Sequence, residues 1–223
     1  MTKRPVPRAC VERLPLYVRE LTRLRQQGTP FASSKGLGEH LGLTDAQVRR
    51  DLSYFGQFGT SGRGYQVQRL LDALRQILGI QGRTWNVALA GVGNLGSALL
   101  AYHGFRERGF VFKVVVDGDL KKVGRVVQGV TVAAGVQLED LVRKHDVHIG
   151  IITVPSGAAQ GVCDQLVAGG VRAIVNFAPA RLEAPPSVWL RNVDLALELE
   201  ALAFYLARGR SKSVSMTGNG KGL

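Results

Sequence analysis

The residues of this chain best placed to do chemistry are three glycines. Gly91, Gly93 and Gly96, with Val92, Asn94 and Leu95 between them, form a Gly-x-Gly-x-x-Gly run behind the apolar stretch Val87-Ala88-Leu89-Ala90, and a helical pattern follows as far as Tyr102. Strand, tight turn and helix in that order bring unpaired N–H groups and the positive end of a helix dipole to one place, which suits a phosphate. Gly91 permits the turn, Gly93 lets the main chain approach a pyrophosphate, and Gly96 lets helix and strand pack closely. Glycine turns are common in a chain with 28 glycines, so the flanks must decide. Asp117 stands about 20 residues beyond Gly96, directly behind Val114-Val115-Val116, where a dinucleotide site needs a carboxylate for the ribose hydroxyls. Its charge should repel a 2′-phosphate and favour NAD over NADP; Lys121 and Lys122, close by, work against that. Thr153-Val154-Pro155 and Asn176-Phe177 end two later apolar runs and fall where the rest of such a cofactor would lie.

A second constellation precedes the glycines. Residues 45–55 follow helix spacing, with Val48, Leu52 and Phe55 as the inward stripe and Gln47, Arg50, Ser53 and Tyr54 on the opposite side, flanked by Arg49. Ser33-Ser34 and Thr44-Asp45 can cap this helix and a shorter one before it, and Gly42 ends the shorter one. Two short helices joined by a turn, the second with a basic and polar outer face, describe a helix-turn-helix whose side chains suit base edges and phosphates. The glycine-rich stretch 56–65 then reads as a hairpin wing with Arg63 at its tip, able to reach a minor groove or a phosphate.

Charge separates the two constellations. Of 29 Lys and Arg and 17 Asp and Glu, residues 1–83 hold 14 against 6, residues 84–207 hold 11 against 11, and residues 208–223 hold 4 against none. A basic module joined to a neutral one points to a polyanion, and double-stranded DNA leads. No long apolar span or polybasic amphipathic helix supports a membrane. Met1-Thr2-Lys3-Arg4-Pro5 lacks the apolar core of a secretory signal, so a cytoplasmic location is expected. Cys10 and Cys163 stand far apart without metal-ligand spacing; buried or free thiols are expected, with no metal site and no sulfur redox chemistry.

The elements that must position these residues follow from periodicity. Val11, Leu14, Tyr17, Val18, Leu21 and Leu24 mark a first amphipathic helix whose Arg13, Arg19, Arg23 and Arg25 read as a solvated face. Val67, Leu70, Leu71, Leu74, Ile77 and Leu78 mark a connecting helix. Apolar runs at 111–116, 147–154 and 171–177 alternate with helical patterns near 138–143 and 158–168, the signature of a parallel sheet buried on both faces. The expected fold is α/β: a winged helix-turn-helix over residues 1–82, a doubly wound Rossmann-like domain over 83–193, a C-terminal helix over 194–207, and a basic tail, 208–223, expected to be disordered. The C-terminal helix is apolar around almost its whole circumference, with Glu198 and Glu200 its only interior charges, so burial against a second subunit is expected. Paired recognition helices would in turn require a palindromic operator.

With these motifs in place, the chain resembles the Rex family of redox-sensing bacterial transcriptional repressors over about residues 13–206. The resemblance rests on the recognition-helix run 47–56, the wing ending Gly62-Arg63-Gly64-Tyr65, the glycine run 91–96, Asn176-Phe177-Ala178-Pro179 and Asn192-Val193-Asp194, all in one order. It implies a homodimer whose C-terminal helices are exchanged between subunits. It also implies binding of operator DNA when NAD+ predominates and release when NADH binds, making NADH and NAD+ regulatory ligands. By the same resemblance Arg49 and Arg50 contact DNA, Tyr102 and Asp194 lie near the nicotinamide, and Arg19 can pair with that aspartate across the domains. Two departures stand out: the family wing commonly reads Arg-Gly-Val-Gly-Tyr, whereas here the arginine is moved two positions to Arg63, and Leu195 replaces an aromatic that some members carry.

The alternative reading is a small NAD-dependent oxidoreductase, which needs a general acid or base beside a substrate pocket. His40 belongs to the basic module, His145 and His148 precede a strand at the end remote from the cofactor, and His103 alone lies near the nucleotide helix. A coenzyme-A-binding module on a related sheet would leave the basic N-terminal module unexplained. No catalytic residue is therefore assigned.

Overall fold

The computed structural model describes residues 5–208, which fall into two units, 5–81 and 82–208. In the first, α1 (Arg8–Gln26) is followed by β1 (Phe31–Ala32), α2 (Ser34–Leu41), α3 (Asp45–Ser53), β2 (Gly59–Thr60), β3 (Gly64–Gln66) and α4 (Val67–Ile77). Local chemistry sets the helix ends: Ser33 Oγ accepts from Gly36 N at 3.0 Å, Thr44 Oγ1 accepts from Gln47 N at 3.1 Å, and Gly42 turns with φ +65°. Helices α2 and α3 meet closely because Gly38 has no side chain; a Cβ there would strike the Leu43 carbonyl oxygen. The inward stripes of α1, α2, α3 and α4 share one core of Leu14, Tyr17, Leu21, Leu37, Val48, Leu52, Leu70, Leu71 and Leu74. The strands form an antiparallel sheet in the order β1-β3-β2, whose β2–β3 turn is the wing.

The second unit begins with β4 (Trp85–Ala90), α5 (Asn94–Ala101), α6 (Gly104–Glu107), β5 (Phe110–Asp117), β6 (Val126–Val127) and β7 (Val130–Ala134). It continues through α7 (Leu138–Lys144), β8 (Ile149–Ile152), α8 (Ser156–Ala168), β9 (Ala173–Asn176), β10 (Trp189–Asn192) and α9 (Leu195–Ala207). The strand order is β10-β9-β8-β4-β5-β7-β6, parallel from β10 to β7. Apart from the edge strand β6 this is the doubly wound order, with its switch point between β4 and β8. Both faces are covered. Ala88 and Ala90 point into a core with Val114, Val116, Ile152, Cys163 and Leu166, while Val87 and Leu89 point to the opposite face with Leu100, Val115 and Val132.

Several elements depart from expectation. Helix α3 stops at Ser53, leaving Phe55 beyond it, because the chain must turn into Gly56, whose φ is +143°. Helix α8 starts two residues earlier than periodicity suggests, with Pro155 as its cap. The edge strands β6 and β10 carry no alternation strong enough to announce them, and β6 pairs antiparallel with β7. Asp194 lies outside α9 as its cap, its Oδ1 accepting from Ala196 N at 2.9 Å. All of α9 is exposed in the single chain. Of the basic tail only Arg208 is among the described residues, so the expectation of disorder there lies outside them. No helix among the described residues is long and apolar enough to cross a membrane.

Candidate nucleotide and nucleic-acid sites

The three fingerprint glycines have three different structural reasons. Gly91 turns with φ +98°, and a Cβ there would lie 2.8 Å from the Thr153 carbonyl oxygen. A Cβ on Gly96 would overlap the Gly91 carbonyl oxygen and come within 3.0 Å of Thr153 Oγ1. Gly93 needs neither freedom nor closeness for the fold. Its φ of −80° and ψ of −165° are open to any residue, and a Cβ would meet nothing within 4 Å. That bare position caps α5, whose first N–H groups have no helical partner and whose first turn carries no acid. A pyrophosphate fits here: the main chain is uncovered, the donors face outward, and the helix dipole favours an anion.

Asp117 ends β5 beside this turn and is 8% exposed. Its Oδ2 accepts from Val92 N at 2.7 Å and from Lys122 Nζ at 3.0 Å, while Oδ1 accepts from Asp119 N at 2.8 Å. Burial alone would raise its pKa, but the Asp119 and Val92 amides and the Lys122 ammonium outweigh it and hold the carboxyl below its ordinary range. Asp117 thus builds the glycine turn, and its charge is balanced by Lys122.

The later loops divide between floor and rim. Thr153 N donates to Ala90 O at 2.9 Å, and its hydroxyl lies 3.0 Å from Ala90 O and 2.8 Å from Gly91 O, so it joins the ends of β4 and β8. Asn176 is fully buried; Nδ2 donates to Ala178 O, Ala180 O and Asn192 Oδ1 at 3.0–3.1 Å, and Oδ1 accepts from Ala178 N at 2.9 Å. Both side chains thus make scaffold bonds within the protein, and the Thr153 hydroxyl, with one proton for two carbonyls, keeps its acceptor side. Val154 and Phe177 are half-buried, and Pro155 is exposed. Tyr102 ends α5, 52% exposed, its ring edge-on to Phe105 at 5.2 Å and folded over Gly104. Asp194 is exposed.

In the first unit, Arg49 and Arg50 are both exposed on α3. Arg49 Nη1 reaches Asp45 Oδ2 at 2.7 Å and Ser34 Oγ at 3.1 Å, which steers it across the turn between α2 and α3; the Arg50 guanidinium has no hydrogen-bond or ion-pair partner among the described residues. Ser53 donates its hydroxyl to Arg50 O at 2.7 Å, and Tyr54 is half-buried. Arg63 does not point away from the wing: its guanidinium stacks 4.6 Å over the Phe31 ring. Gln47 is turned partly inward, Nε2 donating to Asp51 Oδ1 at 2.7 Å.

That last bond belongs to a cluster that periodicity did not single out. Asp51 is 1% exposed, and Arg13 forms a two-pronged pair with it, Nε to Oδ2 at 2.6 Å and Nη2 to Oδ1 at 2.7 Å, while Tyr17 donates its hydroxyl to Oδ2 at 2.7 Å. Arg13 is therefore not on a solvated face. Burial would raise the Asp51 pKa, yet Arg13, Tyr17 and Gln47 together hold it below its ordinary value. The signal was present in the spacing: Asp51 sits between Val48 and Leu52 on the inward stripe of α3, and a charge there requires a partner. Cys10 Sγ lies 3.6 Å from Asp51 O, and burial pushes its thiol up to about 12.

Comparison with known proteins bears on both units. Residues 5–53 match the family model described as a putative DNA-binding protein N-terminus, and residues 82–180 match the one described as a CoA binding domain. A redox-sensing transcriptional repressor Rex from Carboxydothermus hydrogenoformans is 48% identical over 203 residues, which is 91% of this chain and 97% of that protein. The chain belongs to the Rex family. Among solved structures, RSP in complex with β-NAD+ and operator DNA is 37% identical with a TM-score of 0.87, covering 92% of this chain and 94% of that one. RSP in complex with β-NADH is 35% identical with a TM-score of 0.83, covering 91% and 95%. The Rex fold is thus shared from α1 through the doubly wound sheet, and the match to a CoA binding domain reflects the sheet type rather than the whole chain.

Proposed function

We propose that this chain represses transcription as a sensor of the NADH/NAD+ ratio, holding operator DNA when NAD+ predominates and releasing it when NADH binds. The observation that carries this reading is the pairing, in one chain, of an exposed basic recognition helix with a dinucleotide turn whose Gly93 is bare for a ligand and not for the fold. The likeness to RSP, which was solved with β-NAD+ and operator DNA and also with β-NADH, supports it. Gly93 and the first amides of α5 would hold the pyrophosphate. Asp117 would face the adenosine ribose, and Val154, Pro155, Phe177, Tyr102 and Asp194 would form the nicotinamide side. Arg49, Arg50 and, after swinging off Phe31, Arg63 would meet the duplex. The chain would work without turning over its ligand, in the cytoplasm, as a homodimer whose α9 helices cover one another's Leu197, Leu199, Leu202 and Phe204, all exposed in the single chain.

The two ligands differ at the nicotinamide by a hydride and a positive charge, and a ligand shifts an equilibrium only through unequal affinity for its two states. The discriminating contacts therefore belong at the nicotinamide and not at residues 91–96. A titration of operator DNA against the chain at fixed salt tests the reading: NADH should weaken binding far more than NAD+ does. Equal effects of both would overturn it, and steady oxidation of NADH with a small carbonyl compound would favour the oxidoreductase instead.

A further inference from the structure

Asp51 has no hydrogen-bonding capacity left. An ionised carboxylate offers about four lone-pair sites, and here Oδ1 takes Arg13 Nη2 and Gln47 Nε2 while Oδ2 takes Arg13 Nε and Tyr17 Oη, all at 2.6–2.7 Å. Such a carboxylate only accepts. Gln47 must therefore present its NH2 end to it, because the reversed amide would press Oε1 against a buried anion. The amide of a surface glutamine normally turns over freely; this one is clamped through Asp51 by Arg13 and Tyr17 of α1. Its Oε1 has no partner among the described residues, and Gln47 stands half-exposed in the first turn of the recognition helix, one residue from Ala46 and two from Arg49 on the outer side.

We propose that Asp51, anchored by Arg13 and Tyr17, fixes the Gln47 amide with its carbonyl oxygen outward, so that Gln47 selects an exocyclic amino group in the major groove. That amino group is N6 of adenine or N4 of cytosine, the donors exposed there; guanine O6 and N7 and thymine O4 are acceptors and meet the oxygen unfavourably. Asp51, Arg13 and Tyr17 are positioning residues, and Gln47 makes the contact. The inference rests on the DNA-binding reading above and adds to it a stated chemical preference at one position of each half-site.

The experiment starts from DNA selected by the full chain out of a random pool. The Gln47→Met variant keeps the length of the side chain and removes its amide, so it should lose base preference at one position per half-site and retain the others. At that position, the adenine is then replaced by purine, or the cytosine by pyrimidin-2-one, deleting only the amino group. Wild-type affinity should fall about fivefold, and Gln47→Met should not respond. Arg13→Met, which loosens Asp51 without touching the helix surface, should diminish the response to amino deletion while Gln47 is still present, and Arg13→Lys should restore part of it. Wild-type binding unchanged by amino deletion at every position lost in Gln47→Met overturns the proposal. A chain that enriches no sequence from the pool overturns the DNA-binding reading itself.

Discussion

Alanine at Gly93 and alanine at Gly96 should have opposite effects, although the two lie in one turn. At Gly93 the backbone is extended and a Cβ meets nothing within 4 Å, so the protein alone sets no steric objection. Loss of glycine at a helix cap costs at most about 1 kcal/mol, and the stiffer unfolded chain returns about 0.4–1 kcal/mol. The melting temperature should therefore move by only a few degrees. The methyl group would stand where a pyrophosphate must approach, and displacing one charge-assisted hydrogen bond forfeits about 1.5–3 kcal/mol, tenfold to a hundredfold in affinity. At Gly96 the methyl would run into the Gly91 carbonyl oxygen and Thr153 Oγ1, which are parts of the fold. Overpacking of that kind costs about 3 kcal/mol or more, on the order of 10 °C. Thermal melting with and without NADH separates the two, since saturating ligand at a hundred times its dissociation constant stabilises by about 2.7 kcal/mol. Gly93→Ala should melt as wild type alone and, at that same NADH concentration, gain only about 0.4–1.4 kcal/mol. If it gains the full wild-type shift, the pyrophosphate does not lie against Gly93 and the assignment of the turn fails.

Lys122→Met should uncover the Asp117 charge and widen the preference for NADH over NADPH in a binding titration; an unchanged ratio would show that the pair takes no part in that choice. Because the Asp51 carboxyl is held below its ordinary value of 3.8, its stabilising effect is complete above about pH 4 and drains away as the pH falls below that. Urea unfolding at pH 7, 4 and 3 should show this acid limb in wild type and a flatter one in Asp51→Asn, whose stability at pH 7 should already be lower by about 3–5 kcal/mol because Arg13 loses its partner; equal slopes would contradict the pairing. Removing residues 194–223 should convert a dimer to a monomer in sedimentation, and a dimer that survives the removal would disprove the proposed role of α9.

The parts of this molecule that announce themselves in sequence are those governed by neighbours along the chain. The run from Val87 through Gly96 is legible because a doubly buried strand has no polar alternation and the turn after it needs glycine at fixed offsets. The inward stripe Val48 and Leu52 and the caps Ser33 and Thr44 are legible for the same reason. What local pattern concealed is set by partners distant in sequence. Arg13 looks like one more surface cation until Asp51, 38 residues later, is seen beneath it. Asn176 ends a strand where a ligand group is expected, yet its amide is consumed by Ala178, Ala180 and Asn192. The edge strand β10 owes its existence to pairing with β9, not to its own composition. The resemblance to the Rex family pointed to the correct whole; it did not tell which of the motif residues hold the fold and which are left facing outward.

Thr153 makes the two halves of the nucleotide floor a single mechanical part. Its amide grips Ala90, its hydroxyl lies against the Ala90 and Gly91 carbonyls, and the Gly91 carbonyl in turn lies directly under Gly96. A beam clamped at its middle tilts as one piece and does not flex between its ends. The end of β8 and the glycine turn after β4 are thus tied together through Thr153 and the Gly91 carbonyl. The Tyr102 ring and the helix that starts from Asp194 take no part in that tie and stand exposed in the single chain.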